Sequence, residues 1–158
     1  MPIDDGLFKL AMSHFASGVT VVTTEHEGTL YGMTVASFAS LSLDPPLVLI
    51  CVEKNAKSHD AIASSEKFGV NMLAADQTEL SGRFASKKID DRFAGVAHQP
   101  GSDLGVPLLD GAICAIECRL HNQLPGGDHT VFVGEVVNVQ TTEAAPLVYF
   151  RSGYRALA

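Results

Sequence analysis

The chain has 158 residues, with 18 acidic and 11 basic side chains, a formal net charge of −7 and no tryptophan. That length holds about one domain, so residues 1–158 read as a single unit. The longest basic run is Lys87-Lys88, too little for the positive stripe of a nucleic-acid groove, and no apolar stretch nears the roughly 18 residues needed to span a bilayer. Asp4 or Asp5 is placed to cap a first helix whose Leu7, Phe8, Ala11, Met12 and Phe15 share one face, with Gly18 just past its end. The β-branched run Val19–Thr24 predicts a strand, which Glu27-Gly28 turns back into a second strand from Leu30 to about Ala36. Small and hydroxyl residues follow, then Asp44-Pro45-Pro46, then the wholly apolar Leu47–Val52, which predicts a strand covered on both faces.

Ser58 or Asn55 is placed to cap a short helix over Asp60–Ser65, and Phe68–Leu73 predicts another strand. Asp76 with Glu79 three residues on reads as a capping box for a helix through Phe84. Ser86–Pro107 lacks a pattern, which inside a compact domain points to a segment that lids or borders a site. Ala112–Leu120 and Val131–Val139 predict two long strands joined by a loop over His121–Thr130, and Leu147–Phe150 a short last strand. About seven strands with short connections favour antiparallel pairing and a barrel with two or three short helices at its rim.

Cys51, Cys114 and Cys118 make an odd count without metal or disulfide spacing, and read as small buried hydrophobes in a reducing compartment. Asp4 and Asp5 stand where a secretory signal would carry its basic start, so a cytoplasmic protein is expected. The six histidines, at 14, 26, 59, 98, 121 and 129, show no metal-ligand spacing, and no metal is expected. The chain has no G-x-S-x-G, H-E-x-x-H, Walker or G-x-G-x-x-G motif. Its small and hydroxyl residues at Met33–Ser37 would let a ligand approach backbone N–H groups, the alternative being a plain Ser/Thr-rich connection. Reactivity borrowed from an organic cofactor fits this inventory.

In order along the chain stand Gly18-Val19-Thr20-Val21-Val22-Thr23-Thr24, Tyr31-Gly32-Met33-Thr34-Val35-Ala36-Ser37-Phe38, Ser40-Leu41-Ser42-Leu43-Asp44-Pro45-Pro46-Leu47 and Phe68-Gly69-Val70-Asn71-Met72-Leu73. Arg83-Phe84, Gly127-Asp128-His129-Thr130, Phe132-Val133-Gly134-Glu135-Val136, Tyr149-Phe150-Arg151 and Gly153-Tyr154 follow. Together they resemble the flavin reductase family, the small component of two-component flavin-dependent monooxygenases. The resemblance implies an FMN-binding split-barrel fold: mainly β, an antiparallel split β-barrel of Greek-key type. It implies FMN or FAD as flavin and NADH or NADPH as reductant, with hydride transfer to flavin N5 and delivery of reduced flavin to a partner monooxygenase. NADH is favoured, since no acidic or basic ribose reader stands out.

The resemblance puts the flavin against Met33, Thr34, Val35, Ala36 and Ser37, helped by Cys51 and Val52, with Lys57, Ser58, Arg83 and Phe84 at its ribityl or phosphate end. His129 borders the nicotinamide together with Arg151 and Tyr154, and is assigned an orienting role in catalysis. A homodimer with sites near its interface is expected from the family. Lys9 replaces a frequent arginine, and Ser86–Pro100 carries no family signature and is assigned no contact. A non-catalytic flavin- or haem-binding split barrel, and an oxidase of the pyridoxamine-phosphate type, are the alternatives.

Overall fold

The structure, a computed structural model, describes residues 2–158. In chain order the helices are α1 (Asp5–Ser13), α2 (Lys57–Ser65) and α3 (Thr78–Ala85). The strands are β1 (Ser17–Gly18), β2 (Thr20–His26), β3 (Thr29–Val35), β4 (Phe38–Ser42), β5 (Leu47–Glu53), β6 (Lys67–Met72), β7 (His98–Pro100), β8 (Pro107–Leu109), β9 (Cys114–Gly126), β10 (His129–Thr141), β11 (Val148–Phe150) and β12 (Gly153–Arg155). Among the described residues no helix is long and apolar enough to cross a membrane.

Seven strands form one antiparallel sheet in the order β3-β2-β6-β9-β10-β5-β4. Its two edge strands, β3 and β4, are separated in sequence only by Ala36 and Ser37. A flat sheet of this size would hold its edges about 29 Å apart at the usual strand spacing, far beyond the roughly 11 Å that three peptide units can reach. The sheet therefore curls until its edges meet at that corner, which makes the antiparallel split β-barrel. Val22, Val35, Ile50, Val52, Phe68, Val70, Ile116 and Phe132 pack its interior. A second cluster of Val21, Leu73, Phe84, Phe93, Leu109 and Leu147 binds α3 and the irregular segment after it to the sheet.

Several local expectations are corrected. The first helix is capped by Asp4, whose carboxylate accepts from Leu7 N at 3.0 Å, but it ends at His14. Gly18 instead pairs with Val148 as part of β1. Phe38–Ser42, read as part of a small-residue connection, is a strand. In β5 only Val48, Ile50 and Val52 are buried, and Leu47, Leu49, Cys51 and Glu53 are half-buried on the other face, so the strand is covered fully on one side. The helix starts also shift: α2 begins behind Ala56 and α3 behind Gln77, without side-chain caps. Asp76 fails as a cap because Gln77 takes that place, its side chain bonding Ala74 N at 2.8 Å and Asp110 O at 2.9 Å.

The long loop expected over His121–Thr130 is a correction of another kind. β9 runs on to Gly126 and β10 starts at His129, leaving a two-residue turn of Gly127 and Asp128. Gly127 has φ 65°, the positive value that tight hairpin turns demand of a central residue. Cys114 and Cys118 do share a face with Ile116. Burial, with Glu117 adjoining, pushes the Cys118 thiol up to about 12.

Candidate active site

A cleft of about 400 Å³ opens between β3, the β5–α2 connection and the segment after α3. Its floor is β3, where Gly32 is bare backbone: a Cβ there would lie 2.7 Å from Phe84 Cε1 and 3.1 Å from Phe93 Cζ. The missing side chain lets those two rings, 5.1 Å apart and edge to face, close directly on the strand. Met33 and Thr34 continue the lining, and the Thr34 hydroxyl donates to Ser81 O at 2.6 Å, tying β3 to α3.

The opposite lip is the start of α2. Asn55, Ala56, Lys57 and Ser58 line it, and no side chain caps the helix. The free N–H groups of a helix start attract an anion. Ser58 is only 5% exposed as a residue, but no fully buried side-chain polar atom lacks a partner among the described residues, so its hydroxyl, which bonds none of them, is open to the cleft. A hydroxyl open to the cleft, at an uncapped helix start beside a lysine, is a cradle that a phosphate fits.

The third wall comes from the segment expected to border a site: Lys87, Ile89, Asp90, Asp91, Arg92 and Phe93 line the cleft. Burial holds the Arg92 guanidinium below its ordinary value while it donates to Gly32 O at 2.8 Å and to Ser86 O at 2.8 Å.

Of the residues assigned to flavin, the structure brings Met33, Thr34, Lys57, Ser58 and Phe84 together in this cleft. Val35 and Val52 are core residues, 4% and 0% exposed, so only their backbone is available to a ligand. Ala36 lines a separate, mainly apolar hollow of about 300 Å³. Ser37 is exposed and accepts from Cys51 N at 3.1 Å through its carbonyl. Cys51 itself faces away from the barrel interior, and burial raises its thiol. Arg83 does not line the cleft: its Nε donates to Arg92 O at 2.7 Å, and its Nη2 to Asp91 O and Ala94 O at 2.9 and 3.0 Å.

His129 opens β10 directly opposite Glu53, a cleft residue, so it stands at the rim. Its Nδ1 lies 2.7 Å from Asp128 Oδ1. The hydrogen bond to His129 holds the Asp128 carboxyl below the usual range. An ionised carboxylate only accepts, so Nδ1 carries the proton, and Nε2 bonds no other described residue. The next residue, buried Thr130, bonds His59 Nε2 at 2.7 Å, which anchors α2 to β10 below the rim. His59 Nδ1 lies 2.9 Å from Asp60 Oδ1, and its bond to Thr130 carries no sequence signal because α2 and β10 are 71 residues apart there.

Arg151 and Tyr154 lie in the β11–β12 segment, outside the cleft lining. Arg151 has φ 50° and its guanidinium carbon stands 5.3 Å from the Phe150 ring centroid. Tyr154 OH donates to Ser81 Oγ at 2.7 Å, so this segment meets α3 behind Thr34.

The family model described as "Flavin reductase like domain" matches residues 12–158. The reductase subunit HsaB of a flavin-dependent monooxygenase from Mycobacterium tuberculosis is 39% identical over 158 residues, covering 98% of this chain and 83% of that protein. The solved flavin reductase PheA2 in its native state has a TM-score of 0.91 and 42% identity, with 99% of each chain covered. The NADH:FAD oxidoreductase SgcE6 of Streptomyces globisporus, solved with NAD and FAD fragments, has a TM-score of 0.93 and 36% identity, covering 100% of this chain and 97% of that one. With its barrel, its cleft and nearly its whole length accounted for in this way, the chain belongs to the flavin reductase family.

Proposed function

We propose that residues 1–158 act as one NAD(P)H:flavin oxidoreductase, which reduces FMN or FAD and releases the reduced flavin to a partner monooxygenase. The carrying observation is the cleft itself: an uncapped helix start with Lys57 and the cleft-facing Ser58 at one end, and aromatic and aliphatic walls at the other. Lys57, Ser58 and the α2 N–H groups hold the phosphate, and Met33, Thr34 and Phe84 border the ring and ribityl chain. Bound flavin supplies the hydride acceptor, and a nicotinamide nucleotide the donor. His129, its ring fixed by Asp128, orients the nicotinamide at the rim, with Arg151 and Tyr154 closing that side. Hydride transfer depends on close alignment of two rings rather than on a protein acid or base, which matches a cleft with no nucleophile poised in it. The relatives named as monooxygenase reductase components support the hand-over, and the NAD and FAD fragments bound by SgcE6 support NADH as the donor.

A homodimer belongs to this reading. α1 buries no residue and exposes Leu7, Phe8, Leu10 and Met12, while Phe15 beyond it is 80% exposed. Leu49 and Cys51 present a second half-buried face on β5. A second copy of the chain covers both.

The test is anaerobic mixing of the purified protein with NADH or NADPH and a molar excess of FMN or FAD. Repeated turnover, seen as loss of the flavin's visible absorbance at a rate proportional to protein, is expected. Flavin binding without bleaching by either nucleotide overturns the reading.

A further inference from the structure

After α3 the chain runs through residues 86–97 without strand or helix, yet one side of the cleft is built from it. Two backbone bonds brace it internally, from Ala94 N to Asp91 O at 3.4 Å and from Val96 N to Phe93 O at 2.9 Å. Phe93 anchors it by packing on Phe84. Phe93 N also donates to Asp91 Oδ1 at 3.1 Å, Lys88 N to Ser86 Oγ at 3.2 Å and Asp110 N to Ala97 O at 3.1 Å, and guanidinium groups supply the longer-reaching side-chain bonds. Arg83, in the last turn of α3, reaches three successive-region carbonyls at Asp91, Arg92 and Ala94, and Arg92 reaches back to Gly32 O and Ser86 O. A planar guanidinium satisfies several acceptors at fixed angles, which the single ammonium of lysine cannot reproduce.

We propose that Arg83 is a positioning residue that sets flavin affinity by holding the Lys87–Phe93 wall against the cleft, and not by reading the flavin phosphate through its charge. The part that concerns flavin rests on the function proposed above, while the part that concerns the wall does not. Held from behind, the wall keeps Lys87, Ile89 and the Arg92 side chain in the lining. Released, it widens the cleft and leaves the α2 cradle as the main source of affinity. Catalysis at the rim is unaffected once flavin is bound.

The two accounts of Arg83 part on Arg83→Lys, which keeps the charge and loses the planar geometry. The whole chain carrying Arg83→Lys or Arg83→Gln is compared with wild type, with thermal melting to confirm folding. The first readout is limited trypsin digestion without flavin, scored by mass for cleavage after Lys87 or Lys88, both exposed. The second is flavin affinity and the split between flavin KM and kcat. The expectation is faster cleavage and a flavin KM raised roughly tenfold in both variants, with kcat at saturating flavin within about twofold. Wild-type cleavage and wild-type KM in Arg83→Lys, with a weakened Arg83→Gln, would make Arg83 a charge reader and overturn the proposal. So would weakened flavin binding with unchanged cleavage. If Arg83→Gln does not fold, Arg83→Lys alone decides between the two. If wild type does not turn flavin over, the proposed function fails and the trypsin arm still tests the wall.

Discussion

The smallest features of the cleft carry its chemistry. His129 depends on Asp128 for its proton placement, so the two substitutions should differ in degree. If His129 orients the nicotinamide as proposed, His129→Ala should slow flavin reduction by roughly tenfold or more while flavin affinity holds. Asp128→Asn leaves the ring in place but offers it a donor as well as an acceptor, and should slow reduction by only about threefold. Stopped-flow reduction at saturating NADH measures both, and equal rates for all three proteins would remove His129 from the nicotinamide site. A second residue-scale effect comes from Cys118. Its thiol stays protonated in the folded barrel up to about 12, against an ordinary value of 9.0. A raised folded value stabilises fully below the unfolded value and loses that contribution as pH climbs between the two. The urea midpoint should therefore fall between about pH 9 and pH 11, and fall less steeply in Cys118→Ala. An identical slope in the variant would mean that other groups govern alkaline stability.

At the level of elements, α1 is the piece whose composition and surroundings disagree. A helix with an apolar face normally buries it, yet Leu7, Phe8, Leu10 and Met12 are each more than half exposed in the single chain. Leu7→Glu with Phe15→Glu should convert a dimer to a monomer in sedimentation velocity, leaving the barrel's circular dichroism intact. A wild-type monomer at micromolar concentration would dismiss the dimer. The elements also show what kind of structure is legible in a sequence. Continuous β-branched or apolar runs, such as Val19–Thr24 and Leu47–Val52, announce themselves because the barrel interior demands that chemistry. β4 escapes because Ala39, Ser40 and Leu41 are exposed and carry no alternation. The outer half of the β9–β10 hairpin escapes for the same reason: residues 121–126 are all exposed, so nothing but backbone pairing marks them as strand. Ser58 is legible through an expected helix start, and Lys57 only through the family resemblance. The shape of the Lys87–Phe93 wall is not legible, because it comes from an arginine on another element gripping its carbonyls, an interaction with no periodicity to read.

Across the whole molecule, the strands that complete the site are far apart in sequence. Glu53 meets His129, and Thr23 of β2 meets Gly69 of β6. The cleft brings together residues 30–34, 53–58 and 84–93, and β10 adds His129 at its rim, so flavin should recognise the folded barrel and nothing earlier. Saturating flavin at about 100 times its dissociation constant should then add about 2.7 kcal/mol of stability. All of it should be seen as slower unfolding with an unchanged refolding rate. Faster refolding with flavin would show that a partial site forms first. The same register has a consequence during synthesis on the ribosome. Once β5 has been made, 76 further residues separate Glu53 from His129, roughly 4–15 s at ordinary elongation speeds. Throughout that interval the apolar β5 waits without its central partner, in a nascent chain that already holds α2 and much of the phosphate cradle. The hairpin that brings His129 therefore completes the rim well after the residues that line the cleft have emerged.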